Sequence, residues 1–146
     1  LRGSGFEVIL TRSKKNETMT PGARLRTFKS SGADVLVSIH CNSSSSAKAT
    51  GVEVIYRDDE DIPIAEEIYS ELLAATELRA RGLKSDHVDL GRTLTVLNAS
   101  DKPCCLVAVG FISNPSDVKI ITDIERVSVA IANGIMNWSR ANNGTA

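Results

Sequence analysis

The sequence predicts an α/β fold: a single domain with a mostly parallel, twisted sheet and helices on both faces. Extended segments alternate with helix-period segments along the chain. The extended segments are apolar on successive residues, as strands covered on both sides must be. No internal repeat or composition break divides the 146 residues, a length that suits one core.

Phe6 to Leu10 reads as a first short strand ending at Thr11-Arg12, followed by a polar loop to about Thr20. Pro21 to Ser31 reads as a helix, with Pro21 in its first turn and Gly32 as its stop. Val35 to Ile39 is a nearly continuous apolar run, the mark of a buried strand. A Ser-rich loop spans Asn42 to Thr50, and Gly51 to Tyr56 is extended again. Ala65, Ile68, Tyr69, Leu72, Leu73 and Thr76 then share one helix face, opposite Glu66, Glu67 and Glu71. Arg81-Gly82 reads as the end of that unit. Thr93 to Leu97 and Cys105 to Phe111 read as two further strands around an Asp101-Lys102-Pro103 turn. Asn114-Pro115 opens a short helix, with Asn as the cap. The last helix starts near Ile124 and buries Val127, Ile131, Ile135 and Trp138. Residues 142–146 read as a frayed tail behind a domain of residues 1–141.

Bulk properties narrow the function. The net charge of −1 gives no reason to expect nucleic acid or an anionic membrane as partner. No apolar run approaches the roughly 20 residues of a membrane span. Cys41, Cys104 and Cys105 are odd in number and lack a C-x-x-C spacing, so they read as small apolar side chains, not a zinc ribbon. No G-x-G-x-x-G or P-loop follows any strand, which disfavours a nucleotide-binding reading.

Chemistry in open α/β sheets gathers at the carboxyl ends of strands. Two segments place polar residues there: Ser38-Ile39-His40-Cys41-Asn42-Ser43, and Leu106 to Asn114, which runs into the capped helix. His40 alone is ambiguous, because a strand-end histidine commonly has a structural role. His87 lies in a polar loop and reads as solvated. Glu53 and Arg12 read as surface or rim ion pairs, and Glu66-Glu67 as a solvated helix face.

Taken together, several stretches resemble the zinc-dependent N-acetylmuramoyl-L-alanine amidases. They are Val8 to Arg12, Arg24, Ala33 to Ser43, Gly51 to Val54, Leu94 to Leu97, Pro103 and Leu106 to Asn114. Ser-Ile-His-x-Asn together with Val-Gly-Phe-Ile-Ser-Asn is the specific part. The resemblance implies hydrolysis, outside the cytoplasmic membrane, of the amide joining N-acetylmuramic acid to L-alanine in peptidoglycan. That places the protein in periplasm, cell wall or extracellular space, with peptidoglycan or muropeptide as partner and room for a regulatory protein. It also implies a zinc held by two His and one Glu, with a second Glu assisting the attacking water. Such a metal lowers the pKa of its water and polarises the scissile carbonyl.

On this basis His40 matches the last zinc ligand, and Asn42 and Ser43 are expected on the substrate groove. Ala108 occupies the position of the assisting Glu, where a methyl group cannot move a proton. The family's opening strand, with its His-Gly-Gly-like turn, and the helix bearing the Glu ligand have no counterpart before Leu1. The expectation is therefore about 40 further residues at the start, carrying the other ligands. The chain as it stands is expected to be inactive, by engineered or natural loss of the Glu. The competing expectation is a non-catalytic module that binds muropeptide or a regulatory partner.

Overall fold

The computed structural model describes residues 1–14, 16–98 and 102–143. Four helices form, α1 (Pro21–Ser31), α2 (Ile62–Ala75), α3 (Pro115–Ile121) and α4 (Ile124–Asn143), with short 3-10 turns at Arg2–Ser4 and Asp59–Asp61. Their ends follow local chemistry. The Thr20 hydroxyl accepts from the Ala23 amide at the start of α1, and Gly32 ends that helix at φ 69°. Asn114 caps α3 by accepting from the Ser116 and Asp117 amides.

Four strands form one sheet: β1 (Leu36–Asn42), β2 (Val52–Tyr56), β3 (Ala80–Ser85) and β4 (Cys104–Phe111), in the order β1-β4-β2-β3. β1 runs parallel to β4 and β2 parallel to β3, while β2 and β4 are antiparallel. The α/β architecture with helices on both faces is as expected, and the sheet is mixed through that one central pairing.

Strand alternation sends two sets of side chains in opposite directions. Val52, Val54, Cys105, Val107 and Val109 pack with Ile64, Ile68 and Leu72 of α2 and with Val127, Ala130, Ile131 and Ile135 of α4. Leu36, Ile55 and Cys104 pack on the other face with Phe28 of α1 and with Val96 and Leu97. Gly134 lets α4 lie directly on α2: a Cβ there would come within 2.5 Å of the Ile68 Cα. Burial pushes the Cys104 thiol up to about 12 and the Cys105 thiol higher still, in keeping with their apolar reading.

Three local expectations are corrected. Phe6 to Leu10 forms no strand, and Ile9 and Leu10 are exposed; an apolar run makes a strand only where a neighbour supplies hydrogen bonds. Thr93 to Leu97 is no strand: its end is a turn, closed by the Leu97 and Asn98 amides on the Leu94 carbonyl, that buries Val96 and Leu97. Conversely, Arg81-Gly82 lies inside β3. The charged sequence hid that strand, and Gly82 at φ 93° sits where the β2–β3 register shifts. Part of the expected Asp101–Pro103 turn lies outside the described residues, as do residues 144–146 of the expected tail. Helix α4 itself continues through Asn142 to Asn143.

Candidate functional site

The sheet register assembles the site. His40 of β1 pairs with Ala108 of β4, and Ala108 pairs in turn with Glu53 of β2. All three point to the face that also carries Leu36, Ile55 and Cys104, each an even number of residues away along its strand. Histidine, alanine and glutamate thus form one row across three strands. Residues 13 and 55 positions from Glu53 meet there only through tertiary pairing.

His40 is exposed, and its Nε2 lies 2.8 Å from the Ser38 Oγ. Partial burial, with the nearby Arg24 charge as a second cause, holds its imidazole below the usual range and favours the neutral ring. Arg24 is itself positioned by donating from Nη1 to the Thr11 hydroxyl at 2.9 Å. Beside His40, edge strand β1 opens onto a groove of about 970 Å³ bounded by the N-terminal segment, α1 and α4. Exposed Ile9, Leu10, Ile39 and Val129 line it.

Ala108 is fully buried, 0% exposed. Its methyl is enclosed by neighbours, so the position does not open directly to solvent.

Glu53 is the most densely bonded side chain of the row. Its Oε2 receives the Lys84 Nζ at 2.6 Å and the Arg81 Nε at 2.8 Å, and its Oε1 receives the Asn42 Nδ2 at 2.8 Å. Burial alone would raise this carboxyl. The hydrogen bonds from Lys84, Arg81 and Asn42 outweigh it and hold the group below the ordinary carboxylate range. The expected ion pair at Glu53 is present, but almost buried and inside the site. Arg81 also lies over the Phe111 ring, 5.0 Å from its centroid.

Asn42 is half-buried, and its amide is committed to Glu53. Ser43 is exposed at the start of the loop after β1. That loop is fastened to the β4–α3 corner by Ser44 N on Ser113 Oγ at 3.1 Å and by Asn114 Nδ2 on the Ala47 carbonyl at 2.9 Å. Asp117, only 2% exposed, closes the corner. It accepts from the Gly51 amide, the Phe111 amide and the Thr50 hydroxyl at 2.9, 2.8 and 2.5 Å. Sequence reasoning missed Asp117; the signal was an acidic residue in the first turn of a capped helix. It also missed Arg81 and Lys84, whose strand it did not find. His87 is exposed in a turn, away from the row, as expected.

Residues 1–137 match the family profile described as N-acetylmuramoyl-L-alanine amidase, of the amidase-3 type. The chain is 30% identical over 145 residues to the uncharacterized protein YqiI of Bacillus subtilis, covering 94% of this chain and 66% of that protein. It is 28% identical over 141 residues to a probable cell wall amidase, LytH, of Staphylococcus epidermidis, covering 94% of this chain and 44% of the relative. The chain thus spans just under two thirds of the first relative's length and less than half of the second's. Among solved structures, the catalytic domain of CwlV, an amidase from Bacillus (Paenibacillus) polymyxa var. colistinus, superposes with a TM-score of 0.80. The identity is 30%, over 90% of this chain and 72% of that one.

Proposed function

This chain belongs to the N-acetylmuramoyl-L-alanine amidase family, and from that premise we propose that it is the catalytic portion of a peptidoglycan hydrolase that cuts between N-acetylmuramic acid and L-alanine, here in an inactive form. The observation that carries the reading is the row His40–Ala108–Glu53, set beside an open groove at the edge of the sheet. His40 is the residue that would ligate the family's zinc, and partial burial beside Arg24 keeps the imidazole in the neutral form a ligand needs.

The residues in hand do not fit a complete zinc site. Among the described residues no group of three His, Cys, Asp or Glu side chains could hold a metal ion, and a catalytic zinc needs three protein ligands. The other donors would have to come from outside the described residues, with the groove beside His40 as the open face for them. No step is therefore derived through the metal. Ala108 cannot accept a proton from water or return one to the departing amine. Glu53 is a poor substitute, because both its oxygens are already taken up by Lys84, Arg81 and Asn42. Asn42 acts by fixing Glu53, and Ser43, exposed at the start of the loop after β1, is the residue open to substrate. The working location is outside the cytoplasmic membrane, in cell wall, periplasm or medium. No helix among the described residues is long and apolar enough to cross a membrane.

The test is release of N-terminal L-alanine from purified peptidoglycan by the whole protein, with zinc content read by native mass spectrometry. The unsubstituted protein is expected at background and the Ala108→Glu variant above it, with circular dichroism checking that the buried substitution folds. Cleavage by the unsubstituted protein would overturn the inactivity. A folded, zinc-loaded Ala108→Glu variant that still fails to cut would favour the second reading, a module that binds muropeptide or a regulatory partner without cleaving. Ala108 is the residue that keeps that reading open.

A further inference from the structure

We propose that Arg81 and Lys84 form a carboxylate-reading subsite, which takes the free α-carboxylate of the D-glutamyl residue that follows L-alanine in the stem peptide. The inference rests on the muropeptide reading above and adds a specificity to it.

Two cations converge on a single oxygen of Glu53, so the cluster keeps one positive charge in excess. Exposure is unequal in a telling way: the Arg81 and Lys84 side chains are 30% and 26% exposed, the Glu53 side chain 10%. An incoming ligand meets the cations first. The Phe111 ring supports the Arg81 guanidinium, while Glu53 holds its Nε and the Thr50 carbonyl lies 3.5 Å from its Nη1. Asp117, the carboxylate bonded to Thr50, spends both oxygens on Thr50, Gly51 and Phe111, while the ion pairs of Arg81 and Lys84 go to Glu53.

Position fits as well. The cations lie on β3, the strand beyond Glu53: Lys84 sits opposite Ile55, two residues along β2 from Glu53, and both side chains reach the Glu53 carboxylate. Strands about 4.8 Å apart put β3 roughly 10 Å from β4. A scissile amide near Ala108 would place the second residue's carboxylate about two residue lengths along, roughly 7 Å away, within reach of side chains as long as Arg and Lys. An amide in place of that carboxylate loses the charge-assisted bonds.

The experiment titrates the protein by calorimetry at low salt with N-acetylmuramoyl-L-alanyl-D-glutamate capped as its γ-methylamide, whose α-carboxylate is free, and with the same compound bearing an α-carboxamide. The acid is expected to bind about fivefold or more tightly than the amide, and the gap should narrow at high salt. The R81Q/K84Q double variant should lose the preference, and Arg79→Gln, an exposed neighbour, should keep it. Glu53→Gln frees both cations and should widen the preference, a change that damage to the fold would not produce. Equal binding of both ligands overturns the subsite and leaves the muropeptide reading standing. A preference untouched in R81Q/K84Q overturns it equally. Binding of neither ligand removes both.

Discussion

Glu53 shows how one residue's environment fixes its chemistry. Its unfolded carboxyl titrates near 4.5, and in the fold it remains ionised to lower pH. Its stabilising contribution is complete above about 4.5 and is lost as pH falls through the lower folded value. The stability advantage of the native protein over Glu53→Gln should therefore be constant from pH 5 to 7 and shrink below 4.5. Melting temperatures across that range check this, and a gap unchanged at pH 3 would refute it. His40 acts in a separate window. Its pKa is lowered from 6.5, so the unfolded chain takes up the proton first and stability begins to decline as pH drops below 6.5. Ala108 illustrates the opposite lesson. The motif identifies the position, yet only the packed structure shows that its methyl is sealed in.

At the scale of elements, the contact between α2 and α4 depends on a residue with no side chain. Gly134 sits against Ile68, where a methyl group has no room without moving backbone. Gly134→Ala should push the two helices apart and cost about 2 to 3 kcal/mol, lowering the melting temperature by roughly 8 °C. A scanning calorimetry trace that matches the parent would mean the helices can slide at no cost. The helices were legible because their signals are local: Pro21 in the first turn of α1, Gly32 after it, Asn114 and Pro115 at α3. Strands were less so. β3 carries Arg, Gly and Lys and becomes a strand because β2 lies beside it, whereas Phe6 to Leu10 has the right residues and no strand beside it.

For the whole molecule, Asp117 joins parts of the chain that are far apart in sequence: the end of the loop after β1, the end of β4, and α3. Removing its carboxylate in Asp117→Ala leaves the buried Gly51 and Phe111 amides without their acceptor. The expected cost is about 3 kcal/mol, with faster hydrogen exchange at those two amides than elsewhere in the sheet. Exchange that rises no more at residues 51 and 111 than at Val107 would show that Asp117 does not act as this latch.

What the sequence determined by itself was the α/β class, the four helices and the bounds of α1, the apolar strands β1 and β4, and the family. These depend on periodicity, capping residues and motifs read over a few neighbouring positions. Only the tertiary structure decided that β4 lies between β1 and β2, that the central pairing is antiparallel, that His40, Ala108 and Glu53 share one row, and that Arg81 and Lys84 reach Glu53 from β3. The reason is physical. Strand order and register are set by hydrogen bonds and packing between segments distant in the chain, and a side chain's charge state depends on which partners that register brings to it.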